Sequence, residues 1–283
     1  MTRPAGPTQL VLGAVLLSGC GGGAPLLHPA HTLPESEVSF AAGTSGRFTL
    51  GGLQRAEGDL DGAAETPGGA RSPQERKAFT RGTLSRIAVA PGVAPFVAAR
   101  AGLGHQNEAG LTYTGRGARL DGRHAFEWPS LALSVGGAVS AAFAQPGSES
   151  QAPPPSSGGG LRAMSLTSLS GFGLELPLVF GYRSQADVVR LWTGLRAGFE
   201  RDRFNVSLVE APDAPADGHG KATRYWGGGL IGFSVGLAPI EVRVEVDAAY
   251  ESASGSLFTS AGEATGDVAG WSLTPAMAIS AKF

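Results

Sequence analysis

Residues 239–250 read Pro-Ile-Glu-Val-Arg-Val-Glu-Val-Asp-Ala-Ala-Tyr, so Glu241, Arg243, Glu245 and Asp247 alternate with Ile240, Val242, Val244, Val246 and Ala248. Successive side chains of a strand point to opposite faces, which puts only charges on one face and only aliphatics on the other. No helix sorts these residues that way. Such a strand suits two settings. Its charged face can look into bulk water above a soluble core, or into the wet lumen of a membrane barrel whose aliphatic face meets lipid.

The same period of two recurs from Val38 onward and predicts ten strands, close to 38–50, 93–103, 108–114, 118–127, 131–143, 172–183, 190–200, 224–237, 240–250 and 271–283. The fold class this implies is all-β, an antiparallel up-and-down transmembrane β-barrel over residues 38–283. Polar or low-complexity stretches at 51–90, 145–169, 201–221 and 252–267 are read as long loops. The first is either a loop or a lumen plug, with a short helix at 73–88. With Phe283 on the periplasmic side, the later long loops fall outside and the tight turns near Gln106, Pro129, Gln185 and Pro239 fall inside, the usual asymmetry of such barrels.

Composition allows one large domain and points to no charged partner. The chain has 283 residues, 42% hydrophobic and 16% charged, with a net charge of -2. That balance, without a basic cluster or RNA-reading aromatic motif, argues against nucleic acid. No apolar run approaches the ~18 residues of a membrane helix. At the amino terminus, Arg3, the apolar Leu10–Leu17 and then Leu17-Ser18-Gly19-Cys20 have the layout of a secretory signal over residues 1–19. Leu-Ser-Gly-Cys resembles the lipobox of bacterial lipoproteins, which implies acylation of Cys20 and a lipoprotein anchor. Gly21 in the next position favours the outer membrane by the same resemblance. Cys20 is the only cysteine, so no disulfide forms within a monomer. Residues 20–37, with Pro25, Pro29 and Pro34, read as a tether from lipid to first strand, and its His28 and His31 as solvated rather than metal-binding.

The last strand ends on Phe283 after alternating Trp271, Leu273, Met277, Ile279 and Ala281. It resembles the carboxy-terminal strand by which bacterial outer-membrane barrels are recognised for insertion. Pro275 departs from that pattern and requires a bulge or a nitrogen turned from its partner strand. If aliphatics meet lipid, the lumen receives a charge network that includes Arg100, Arg119, Asp121, Arg123, Glu175, Arg190, Arg196, Arg224, Glu241, Arg243, Glu245 and Asp247. Interleaved charges in a narrow barrel favour a salt-bridged filling, with a gated, porin-like polar channel as the sharper alternative. Glu245 in particular is expected to serve an arginine reaching from another strand.

Catalysis finds little support. His124 lies on the apolar face, His105 in a turn, and His219 near Asp213 and Asp217 in a polar stretch where solubility explains them better than metal ligation. The expectation is a monomeric lipoprotein of the Gram-negative outer membrane, held by palmitate-type lipid on Cys20 and serving a structural or narrow-pore role. No cofactor, metal or catalytic residue is expected. Its partners are membrane lipid and, by resemblance, the lipoprotein-processing and barrel-assembly machineries. A membrane-tethered lipocalin-like barrel with an apolar interior is the alternative, and a barrel-based surface hydrolase a more distant one.

Overall fold

The computed structural model describes residues 22–64, 72–144, 164–209, 215–260 and 262–283. Its strands are β1 (Val38–Leu50), β2 (Gly92–Gly104), β3 (Asn107–Tyr113), β4 (Gly117–Glu127), β5 (Leu131–Ala144), β6 (Met164–Arg183), β7 (Val189–Val209), β8 (Pro215–Leu237), β9 (Ile240–Thr259) and β10 (Gly262–Lys282). Each pairs antiparallel with the next, and β10 returns to β1 to close a ten-stranded barrel. Over the stretch where all ten strands run, closure leaves no edge unpaired, as a wall facing lipid requires; beyond it, β10 before Trp271 has no partner in β1. At the seam, Val38 and Phe283 exchange main-chain hydrogen bonds of 3.0 and 2.9 Å. The β1–β10 ladder is interrupted opposite Pro275, between the Ser45–Ala276 and Phe48–Leu273 pairs, and the register is the same on both sides, so there is no bulge. Pro275 shares the parity of Phe283, whose N–H bonds to β1, and its missing donor costs the ladder a bond there.

The turns between β2 and β3, β4 and β5, β6 and β7, and β8 and β9 share one end of the barrel with Val38 and Phe283, the inner end, expected on the periplasmic side. At the other end the connections from Tyr113 to Gly117 and from Thr259 to Gly262 are as short, which corrects the expected asymmetry of short inner turns and long outer loops. His105 and Gln106 both take positive φ, 53° and 60°, as a two-residue hairpin turn demands. Along the wall the aliphatics face out: Leu195 is 64% exposed, Ile231 65% and Ile279 62%. Glu241, Arg243, Glu245 and Asp247 face in and are buried. This is the reverse of a soluble barrel with an apolar interior, and it removes the lipocalin-like alternative.

The wall is uneven. Strands β6–β10 run to 20, 21, 23, 20 and 21 residues, whereas β3 has 7 and β4 has 11. The long strands cross a ring of outward aromatics, in which Phe172 meets Phe199, Phe199 meets Tyr225 and Tyr250 meets Trp271 with centroids 6.0, 5.1 and 5.6 Å apart. Beyond that ring the faces exchange character. Arg201, Arg203, Ser252 and Ser254 now point outward, while Phe204, Val206, Ala253 and Leu257 point in.

Helices α1 (Gly52–Ala64) and α2 (Pro73–Leu84), followed by a π-helical turn (Ser85–Val89), fill this outer extension. Ser72 and Glu75 form a reciprocal capping box at the start of α2, with Pro73 just inside. Leu53, Leu60, Phe79, Leu84 and Val89 pack there against Leu169, Phe204, Val206, Leu257 and Val268. The described residues of 51–90 thus form a helical cap seated in the outer mouth.

The expected loops at 201–221 and 252–267 are corrected by these strands: β7 continues to Val209, β8 starts at Pro215, β9 reaches Thr259 and β10 begins at Gly262. Likewise β6 begins at Met164, inside the expected 145–169 loop. The physical reason is the exchange of faces. An outward polar residue above lipid looks like loop when apolar-out is the rule applied.

Candidate functional site: the filled lumen

Inside the wall the charges sit where strand parity puts them, and neighbouring strands bring opposite signs together. Glu108 on β3 binds both Arg100 on β2 and Arg123 on β4, the latter at 2.9 Å, while Arg100 also meets Asp121 at 2.9 Å. Arg196 on β7 bridges Glu175 at 3.0 Å and Asp247 at 2.9 Å, and Arg119 approaches Glu175 at 3.5 Å. Glu241 gathers Arg243, Arg190 at 3.5 Å and Lys282 at 3.1 Å. Higher up, Arg224 joins Glu200 to Glu251. Glu251 keeps the inward parity of Glu241 to Asp247 and lies one residue past the expected end of the strand at Tyr250, which is why the sequence reading missed it. At the inner rim, burial alone would push the Asp187 carboxyl up, but the hydrogen bonds of Arg190 outweigh it and hold the group below the usual carboxylate range.

Glu245 departs from this pattern. No guanidinium forms an ion pair with it among the described residues; its carboxylate accepts from Leu26 N at 2.9 Å, Leu27 N at 3.0 Å and Trp192 Nε1 at 2.9 Å. The expected arginine is displaced because the amino-terminal segment reaches the carboxylate first. Residues 22–33, expected as a solvated tether, lie inside the barrel. Leu26 and Ala30 pack against Ala132, Val179, Trp192 and Leu230, and Leu27 packs against Phe96, Ala276 and Ala278.

Most of the plug's hydrogen bonds run from its main chain to side chains of the wall. Arg243 donates to Leu27 O at 3.1 Å, Arg123 to Pro29 O and His31 O, and Arg196 to Ala24 O at 3.3 Å. Thr32 N donates to Glu127 at 2.7 Å and Leu33 N to Glu108 at 2.8 Å. An irregular chain has unpaired amides and carbonyls that must be satisfied when water is excluded, and the fixed charges of the wall do so. Fit is tight where the segment passes the wall at the inner end: a methyl on Gly102 would overlap the Pro34 carbonyl. The pointer available in the sequence was Leu26-Leu27 followed by Ala30, apolar residues for which a solvated tether has no use.

His28 and His31 are buried with this segment, not solvated. His28 Nδ1 lies 2.9 Å from Arg123 Nη1. Above the plug and below the cap lies a cavity of about 110 Å³, lined by Gly22–Ala24, Ala88, Ala90, Thr114, Arg119, Glu175, Arg196 and Arg224 among others. Arg119 Nε and Nη2 and Arg224 Nε have no hydrogen-bond partner in the protein, which suits a hydrated space. His124 Nδ1 lies 3.1 Å from Asn107 Oδ1 on the wall, and His219 is strand rather than loop, stacked on Phe258. Among the described residues no group of three or more His, Cys, Asp and Glu side chains is placed to hold a metal. Asp213, Cys20 and the signal-like residues 1–19 lie outside the described residues.

No protein-family model matches the chain, and no curated protein matches it. Solved structures resembling it include a major outer membrane protein from Thermus thermophilus, at 10% identity over 87% of this chain and 99% of that one, with a TM-score of 0.35. Neisserial surface protein A matches at 11% identity over 87% and 96%, with a TM-score of 0.29. The attachment invasion locus protein Ail of Yersinia pestis matches at 10% over 88% and 99%, with a TM-score of 0.27. Likenesses this remote carry no argument about what the chain does.

Proposed function

We propose that this chain is an outer-membrane β-barrel with a structural role, lipid-anchored through Cys20 and closed to steady solute flow. The observation that carries the reading is the plug: Gly22–Leu33 occupies the lumen, and wall charges that would otherwise line a pore bind its main chain. The helical cap closes the outer mouth above it. An apolar band outside and a polar, filled interior are what a narrow membrane barrel needs, since small barrels have room inside only for side chains or a thin segment. Acylation of Cys20 rests on the lipobox resemblance, and recognition of Phe283 by the assembly machinery rests on the terminal-strand resemblance. The filling leaves the barrel without a task in bulk transport, and no catalytic step is assigned.

Purified protein in planar bilayers tests this directly. The expected record is a baseline with no sustained conductance. A steady open level in the wild type would overturn the closed-barrel reading in favour of a constitutive pore.

A further inference from the structure

The plug has a direction. Gly22 N donates to Ala90 O at 3.1 Å, and Gly23 O accepts from Ser45 Oγ at 2.7 Å, both in the outer half beside the start of β2. At the other end of the segment, Ser36 N donates to Gly102 O and Gly102 N to Glu37 O, at 3.1 and 2.9 Å, on the inner rim where β1 begins. From Gly22 to Glu37 the chain therefore descends through the lumen from outside to inside, then turns back upward as β1. A tether from a lipid on the inner leaflet would not enter from above.

We propose that the chain enters the lumen at the outer mouth of the barrel and is threaded from outside to inside before β1 begins, so that Gly22 opens toward the external face of the membrane. Reach supports this. Ser45, beside Gly23, follows Val38 by seven residues. At ~3.3 Å per strand residue and a tilt of about 40°, Gly22 stands on the order of 15–20 Å above the inner rim. The two residues from Gly22 back to Cys20 span at most ~7 Å. The downward path is also taken, because Leu26, Leu27 and Ala30 already fill it against the wall.

The upper side leaves room. The wall is lowest at the hairpin of β3 and β4, where Tyr113 ends one strand and Gly117 begins the next, while β6–β10 continue well past that level. The 110 Å³ cavity joins Gly22 to Thr114 and Gly117 on this lip, passing beneath Ala88 and Ala90 of the cap. Gly22 itself is only half-buried. If Cys20 is acylated, a clause that rests on the function proposed above, its chains meet the outer leaflet beside this lip. The direction of threading does not depend on the lipid.

Whole cells expressing the full chain with a short epitope inserted between Gly21 and Gly22 provide the test. The same epitope inserted between Gln185 and Ala186, in an inner-end turn, serves as the opposite marker. Intact cells should bind antibody at the first position as strongly as permeabilised cells do, and at the second only after permeabilisation. Because β1 starts at the inner rim, surface staining at the first position requires a chain threaded through the lumen. Staining there only after permeabilisation overturns the proposal. If the insertion blocks assembly, Gly21→Lys probed on intact cells with a membrane-impermeant amine reagent and mapped by peptide mass gives the same two outcomes. Palmitate labelling of these samples, against Cys20→Ala, separates the two ideas. Label with an inner-side epitope sinks the threading and leaves the lipid. A surface epitope without label keeps the threading and removes the acylation.

Discussion

Glu245 holds the lumen segment to the wall through its carboxylate. Its parity with Glu241, Arg243 and Asp247 places it inward, and it is 1% exposed. What it binds does not follow from parity, because Leu26 and Leu27 come from a segment with no period at all. Its carboxylate takes two consecutive main-chain amides and the indole N–H of Trp192. Glu245→Ala leaves those buried donors without an acceptor. Each such loss costs about 1–3 kcal/mol, and some of it is recovered where the segment lifts away and the amides find water. The expected outcome is a lower unfolding temperature, read by heat-modifiable gel mobility in detergent, together with intermittent openings in bilayers as the plug loosens. Glu245→Gln, which keeps one acceptor oxygen, should fall between. A Glu245→Ala protein that melts and seals like the wild type would show that the latch is not there.

At the scale of elements, the ten-strand alternation was legible because lipid imposes one rule, apolar outward, over each membrane-crossing stretch. That rule ends at the ring of Phe172, Phe199, Tyr225, Tyr250 and Trp271, and the strands do not. Past it, water lies outside and the helical cap inside, so Phe204, Val206 and Leu257 turn inward onto Leu84 and Phe79. A pattern search tuned to the first regime reads the second as loop. The cap therefore behaves as a small soluble core set on a membrane wall, and it can be loosened separately. Leu84 is fully buried at its centre; Leu84→Ala should cost the cap about 2–5 kcal/mol. Proteolysis within α1 and α2 should accelerate while the barrel keeps its heat-modifiable shift. Equal loss of both would mean that cap and wall unfold as one unit.

For the whole molecule, the barrel's placement in the bilayer follows from where its exterior changes character. Leu195 faces outward midway between the aromatic ring at Phe199 and the inner end of β7 at Val189, so it should sit near the bilayer midplane. Ser254 faces outward on β9 above that ring, opposite Asp267 on β10 and Thr223 on β8. An arginine at the midplane of a barrel's lipid face costs about 2–4 kcal/mol, falling toward zero at the interface. A surface substitution away from any special contact changes stability by no more than about 0.5 kcal/mol. Leu195→Arg should therefore destabilise the protein, or block its folding into phospholipid vesicles, while Ser254→Arg leaves the denaturant midpoint unmoved. The comparison separates a membrane wall with a soluble extension from a wall embedded along its full length, because in the second case Ser254→Arg would also be penalised. It separates both from a soluble barrel, in which neither arginine would meet lipid and Leu195→Arg would be tolerated on an already exposed face.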